Sequence, residues 1–365
     1  MTLQTRDTTT VFDSLLTLRA LFKAMLRIRR CEEALIEAYH PADLMRCPMH
    51  FCIGQEAAPA ALSLVMEEQD LLLCHHRNHG YFLAKGGTMR RLFAEIHGKD
   101  TGSNRGLAGS QDISESQIGF YSGAIVSGAT VIATGAAFAT KLKGTNEIVI
   151  AVFGDGAMDQ GVMWECFNIA ALKRLPILYL CENNGYSTYS PISARHQVLD
   201  FVRKVESFGI SSEVIKEGKP EQVVNRIRQL VTSVRSSRLP AFLEIETYRF
   251  CSHVGPEPDD YIGYRTEQEL GAWKAKDPVE LLRRTLVPTQ ISEEELAAIE
   301  LDIKKEIEDA FDFAKKSPFP EKNLMFDALE HNGRRFQSAV PDTVKSGGLS
   351  LSFDPSQPDA KLRPY

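Results

Sequence analysis

The 365 residues are 43% hydrophobic and 25% charged, a globular balance with room for one large α/β domain or two small ones. A net charge of −6 offers no basic footprint for nucleic acid. Nine histidines and seven cysteines show no zinc-type spacing; Cys47 and Cys52 have no second pair, and the scattered thiols read as free cysteines of a reducing cytoplasm.

The start, MTLQTRDTTT, is polar and carries no signal-peptide pattern. Val11–His40 places Leu15, Leu18, Leu21, Phe22, Met25 and Leu26 at helical spacing. This predicts a long amphipathic helix, with Arg27, Arg29 and Arg30 on a solvated or subunit-facing side. Gly54-Gln55-Glu56-Ala57 opens a second helix. Glu56 suits its positive end, and Gln55 and Glu56 both read as structural. Leu71–Leu73 is strand-like and runs into Cys74-His75-His76-Arg77-Asn78-His79-Gly80. Arg77 can fork onto a phosphate, and His76 and His79 exchange protons near neutral pH. A His-rich surface loop is the plainer alternative. Gly98–Tyr121 is polar, rich in Gly and Ser, and long enough to be a functional cover. Ser122–Thr140 is uncharged over nineteen residues, but its Gly, Ala, Ser and Thr suit a tightly packed helix over Gly123–Thr140, in the core or at a subunit interface, better than a bilayer span.

The strongest pattern follows. Ile148–Phe153 is a short β-branched run of the kind buried on both faces of a sheet. Gly154-Asp155-Gly156 ends it, and Gly161–Arg174 is helical, with Trp164, Phe167, Ala171 and Leu175 near one face. Pro176 stops the helix and Ile177–Cys181 is a second strand, leading into Glu182-Asn183-Asn184-Gly185-Tyr186. In a βαβ unit the strands are parallel, so Asp155 and Asn184, 29 positions apart, meet at one sheet edge. A carboxylate, an amide oxygen and a backbone carbonyl suit a hard divalent cation, and free N–H groups at a helix start suit a diphosphate. Either turn alone reads as no more than a turn.

Val198–Val202 and Ile210–Ile215 continue the αβ alternation, and Pro220–Ser236 is helical. Ala241–Tyr248 is a further strand that ends in Arg249-Phe250-Cys251-Ser252-His253, bringing another Arg and His past a strand end. Val254–Arg265 is an acidic loop, and Thr266–Leu286 and Ser292–Lys316 are helices, the second with a Ser292–Glu295 capping box. The expected fold is α/β: a doubly wound, mostly parallel sheet flanked by helices, with an N-terminal helix and a helical C-terminal extension. It occupies 1–330, and 331–365 forms a polar tail.

Together these motifs resemble the thiamine-diphosphate-binding fold. The wider pattern is similar to the alpha subunit of the thiamine-dependent first component of 2-oxoacid dehydrogenase complexes, of pyruvate, branched-chain or acetoin type. The resemblance rests on His50 with Gly54–Ala57, on His76–Gly80, Gly123–Ala129, Gly154–Gly161, Glu182–Ser187 and Tyr248–Gly255. It implies that Asp155, Asn184 and the Tyr186 carbonyl ligate Mg²⁺. Gly154, Gly156 and Ala157 line the diphosphate, Arg77 and Arg249 neutralise it, and His76 lies beside it. Ala124, Ile125 and Val126 hold the aminopyrimidine and brace the bent cofactor. His50, His79 and His253 face substrate as proton donors or acceptors, with His253 also against the cofactor. It further implies a separate beta subunit that supplies an activating Glu, an α₂β₂ heterotetramer, a 2-oxoacid or ketol substrate, and a cytoplasmic enzyme that binds neither membrane nor nucleic acid.

Two departures bear on the acyl acceptor. Lipoyl-feeding members usually carry Gly-Ser-Met-His where this chain has Gly109-Ser110-Gln111-Asp112, and His-Gly-His-Ser where it has Cys251-Ser252-His253-Val254. The resemblance as a whole implies decarboxylation with acyl transfer to a lipoyl-bearing acyltransferase, while these two departures count against the lipoyl acceptor. The alternatives are a carboligation that joins the acyl anion to an aldehyde or ketone, and a non-catalytic cofactor-binding subunit.

Overall fold

The computed structural model describes residues 8–42, 45, 47–257, 259, 262–322 and 324, with side chains from 15 onward except at 40–42. The chain divides into two units, Met1–Phe319 and Pro320–Tyr365, and the elements below belong to the first. The expected polar tail, 331–365, lies outside the described residues.

The strands are β1 (Leu71–Cys74), β2 (Ser114–Glu115), β3 (Phe120–Ser122), β4 (Val149–Gly154), β5 (Ile177–Asn183), β6 (Tyr186–Ser187), β7 (Ser190–Pro191), β8 (Ser211–Ile215) and β9 (Ala241–Glu246). The helices are α1 (Thr8–Ala42), α2 (Ala57–Ser63), α3 (His79–Ala84), α4 (Met89–Ile96), α5 (Gly128–Lys143), α6 (Gly161–Lys173), α7 (Ile192–Arg195), α8 (Phe201–Glu206), α9 (Pro220–Ser237), α10 (Glu267–Lys274), α11 (Pro278–Leu286) and α12 (Glu293–Lys316). Seven strands form one sheet in the order β2-β3-β1-β4-β5-β9-β8, and β6 and β7 make a separate hairpin. Every pairing in the large sheet is parallel except β2 with β3. The expected α/β class holds.

The alternation within each strand explains the two layers of helices. Along β4, Ile150 and Val152 join one core while Val149, Ala151 and Phe153 join the other. β5 repeats this, with Leu178 and Leu180 opposite Ile177, Tyr179 and Cys181. Such period-two division is what a parallel sheet covered on both faces requires. The first core collects α1, α2, α4, α9, α11 and α12; the second collects α5, α6 and α8. Among the described residues no helix is long and apolar enough to cross a membrane.

Three expectations change. The arginines of α1 expected on a solvated or subunit-facing side pair with acids of this same chain, and Arg27 and Arg30 stay partly exposed. Arg29 is buried, donating from Nε to Glu56 at 2.6 Å and from Nη1 to Asp277 at 2.8 Å. Arg27 and Arg30 reach Glu306 and Glu300 of α12. Removing one member of the buried Arg29 set would strand a charge, at about 3–5 kcal/mol. The helix over 266–286 is two, because Asp277 accepts from Val279 N at 2.9 Å as a cap and Pro278 starts α11. The small-residue helix begins at Gly128, leaving Gly123–Ser127 as a turn. The Gly98–Tyr121 cover is also partly structured: it contains β2 and enters β3, and it wraps the buried Glu95, which accepts from the N–H groups of Asn104, Gly106 and Ala108 at 2.7–2.9 Å.

Candidate functional site

Five parallel strands, β1, β3, β4, β5 and β9, end at one edge of the sheet, and each delivers polar residues there. A cavity of about 220 Å³ opens at that edge. Its walls include His76 and Arg77 after β1, the turn Gly123–Ser127 after β3, Gly154–Ala157 after β4, Asn184 and Tyr186 after β5, and Arg249 and His253 after β9. His50 enters from the extended segment before α2. The strand-end convergence expected from the motifs is therefore a single concave place.

One part of the cavity wall is built from oxygen donors. Asp155 is buried in the short helical turn that follows β4. Burial pushes its carboxyl pKa up, and Arg195 opposes that rise. Asn184 Oδ1 accepts from Tyr186 N at 3.2 Å, which folds the turn after β5 into the same cavity wall as Asp155. A carboxylate, an amide oxygen and a main-chain carbonyl form a hard-cation set. Gly156 lies against Ser187: a Cβ there would meet Ser187 Oγ at 2.6 Å, so only glycine keeps this wall clear.

Another part of the wall is cationic. Arg77 and Arg249 are both buried, and among the described residues neither is paired with a carboxylate. Arg77 donates to the carbonyls of Phe51 at 2.6 Å and His253 at 3.3 Å. Arg249 Nη2 donates to Thr188 O and Tyr264 Oη, while its Nη1 is buried without a partner. Burial, then the neighbouring Arg249, push Arg77 down to about 10. Two buried guanidiniums with donor capacity to spare, in one cavity with a cation-ligand set, fit a multiply charged anion that bridges to a divalent metal.

His50, His76 and His253 line the same cavity, with ring nitrogens within 4.8 Å of one another. Burial lowers all three: His50 to about 2, with Arg77 next, and His253 to about 4, again with Arg77 next. His76 is lowered by burial and then by His75. All three are neutral at pH 7. Among the described residues no carboxylate completes the group, and two arginines adjoin it, so it suits neutral proton donation and acceptance better than holding a cation.

His79 is the exception among the residues chosen from the sequence. It is fully buried, with Nδ1 2.7 Å from Glu32 Oε1 and Nε2 2.7 Å from Ser110 Oγ. Both nitrogens are spent and the ring does not line the cavity, which corrects the expectation that it faces substrate. Its position opening α3 turns the ring into the body of the protein, where it anchors the loop at Ser110.

Other residues line or adjoin the cavity without having been expected there. Gln55, read as structural, lines the cavity and has a buried, unpartnered Oε1. Glu182 pairs with His75 at 3.1 Å along the same wall. Gln111 places Nε2 3.4 Å from His50 Nδ1. Arg195 of α7 forks onto Asp155 and Asp159. Gln55 and Glu182 lie inside the sequence motifs and were accessible on that ground; Arg195 has no local signal.

Residues 23–323 match the family model described as "Dehydrogenase E1 component". The chain is 34% identical over 310 residues to "Pyruvate dehydrogenase E1 component subunit alpha" of Rickettsia bellii, covering 84% of this chain and 94% of that protein. It is 32% identical over 308 residues to the protein of the same name in Rhizobium meliloti, covering 84% and 87%. It is 33% identical over 323 residues to "Pyruvate dehydrogenase E1 component subunit alpha, mitochondrial" of Solanum tuberosum, covering 85% and 78%.

Proposed function

This chain belongs to the dehydrogenase E1 component family as an alpha subunit of a 2-oxoacid dehydrogenase, and on that premise we propose that it binds thiamine diphosphate with Mg²⁺ and decarboxylates a 2-oxoacid. The observation that carries this reading is one cavity lined both by an oxygen-ligand set and by two buried guanidiniums that, among the described residues, pair with no carboxylate.

In this reading Asp155, Asn184 and the Tyr186 carbonyl hold Mg²⁺. Gly154, Gly156 and Ala157 give close backbone approach to the diphosphate, and Arg77 and Arg249 neutralise it. Ala124 presents main chain to the aminopyrimidine, while Ile125 and Val126, exposed at the mouth, give the ring an apolar brace. When bound, thiamine diphosphate supplies the electron sink for loss of CO₂. The protein supplies position and proton traffic. Neutral His50 and His253 each offer one N–H and one lone pair to substrate, and His76 lies beside the diphosphate. The exposed mouth at Ile125 and Val126 leaves room for a beta subunit, which would bring the activating Glu in an α₂β₂ assembly. Seven free cysteines support a reducing, cytoplasmic setting.

Acyl transfer to a lipoyl carrier is the first reading of the second half-reaction. A second reading, carboligation to an aldehyde or ketone, is favoured by the loop at Gln111-Asp112. An amide, not an imidazole, adjoins His50 there, and Asp112 Oδ1 is engaged by Ala124 N at 2.8 Å.

Calorimetry on the full-length chain with its co-expressed beta partner tests the binding. Thiamine diphosphate should bind in a Mg²⁺-dependent way, and Asp155→Ala should abolish that dependence; unchanged affinity in the variant would sink the proposal. Turnover of a 2-oxoacid is then followed with a lipoyl acceptor and, separately, with an aldehyde. Acyl transfer to lipoyl selects the first reading, and CO₂ release that consumes the aldehyde selects the second.

A further inference from the structure

Arg195 stands outside every motif, yet it is the basic residue in direct contact with the carboxylate of Asp155. Its side chain is only 11% exposed. Nη2 donates to Asp155 Oδ2, Nη1 donates to both oxygens of Asp159 at 2.7 and 2.8 Å, and Nε donates to Ser190 O at 3.3 Å. The guanidinium is thus held from three sides, and its place is set by Asp159 and the hairpin as much as by Asp155. Arg195 engages Oδ2 of Asp155, and main-chain N–H groups at Asp155 and Asn184 also stabilise the carboxylate.

The location of Arg195 matters as much as its bonds. It ends α7, which follows the β6–β7 hairpin, and β6 starts at Tyr186. The fork therefore ties the turn after β4, which carries Asp155, to the segment after β5, which carries Asn184 and Tyr186. We propose that Arg195 is a positioning residue for the divalent cation: it fixes the rotamer of Asp155 and clamps the two strand ends whose oxygens form the ligand set. This rests on the cation site proposed above. Partners that orient a ligating carboxylate in this way commonly change metal affinity by about 10–100-fold when removed.

Mn²⁺ titrated into the full-length chain, assembled with its co-expressed partner, gives a direct readout through loss of the free-ion paramagnetic resonance signal. Arg195→Ala should weaken Mn²⁺ binding by about tenfold or more. Arg195→Lys, which keeps the charge but cannot fork, should fall between the two and serves if the alanine variant does not fold. The apparent affinity for thiamine diphosphate should drop in Arg195→Ala at low Mg²⁺ and recover at high Mg²⁺. If the wild-type protein binds Mn²⁺ and both variants bind it as tightly or more tightly, Arg195 competes with the cation or ignores it, and the inference is overturned. If the wild type binds no Mn²⁺, the cation site itself fails and the inference falls with it.

Discussion

Gly156→Ala tests how the wall of the cavity is made. A Cβ at 156 would lie 2.6 Å from Ser187 Oγ and 2.9 Å from Ser187 Cβ, with Ser187 Cα at 3.7 Å. The hydroxyl can rotate away, but the Cβ contact cannot be relieved without moving backbone. Overpacking of this kind costs about 1–3 kcal/mol. Ser187→Gly removes both close atoms and leaves an ordinary contact at 3.7 Å, at its own cost of about 0.5–1 kcal/mol for added chain freedom. The two substitutions should therefore be non-additive, with Gly156→Ala/Ser187→Gly more stable than the sum of the single variants predicts by about 1–2 kcal/mol. Denaturant unfolding of the four proteins measures this. Because Gly156 follows Asp155 and Ser187 follows Tyr186, the same displacement should move Asp155 and the Tyr186 carbonyl, both proposed cation ligands, away from each other. Mg²⁺-dependent cofactor affinity should fall in Gly156→Ala and recover to some extent in the double variant. Strict additivity of stability would show that the hairpin does not rest on this glycine, and the reasoning would fail.

Two further outcomes follow from buried acids. Burial, opposed by a hydrogen bond from Asn183 and reinforced by Glu246, raises Glu244 to about 7. A folded-state value above the ordinary 4.5 means that its contribution is fully present below about pH 4.5 and is lost as pH rises through 7. At pH 8 the ionised group should cost about 3 kcal/mol, so Glu244→Gln should stabilise the protein at pH 8 and change little at pH 5 in paired denaturation curves; an equal effect at both would contradict the burial argument. Glu95→Gln offers one acceptor oxygen where three N–H groups now share two, which should cost about 1–3 kcal/mol. Trypsin should then cut faster after Arg105, and an unchanged digestion rate would mean that Glu95 does not hold this loop.

The strands and the strand-end motifs were legible because their causes are local. Ile148–Phe153 and Ile177–Cys181 are apolar on both faces, and parallel pairing then forces Asp155 and Asn184 to one edge. Arg77 and Arg249 were legible for the same reason, each lying just past a strand. What the sequence hides depends on partners far away along the chain. Arg29 reads as a surface residue on a helical wheel until Asp277, 248 positions on, is brought beside it. Arg195 looks unremarkable on a four-residue helix until the hairpin returns it to Asp155. His79 misleads in the opposite direction: its place in a His-rich run after a strand suggests chemistry, but α3 begins there and turns the ring inward onto Glu32. Gln55 sits in a run correctly read as a helix start, yet its amide leaves that helix and enters the cavity.

The proton balance at the acceptor end follows from which groups remain free. Asp112 Oδ1 accepts from the main-chain N–H of Ala124, which ties this carboxylate to the turn after β3. Gln111, beside His50, can hold a carbonyl or hydroxyl in place, but an amide does not exchange protons at neutral pH. His79 is spent on Glu32 and Ser110. On the proposed reading, proton transfer on this side falls to the imidazoles that line the cavity, His50, His76 and His253, all three lowered by burial. A neutral ring whose protonated form is disfavoured is a reluctant base and, once protonated, a strong acid. It is suited to returning a proton quickly to the alkoxide that develops when a carbonyl accepts the acyl anion, or to the thiolate released when a disulfide accepts it.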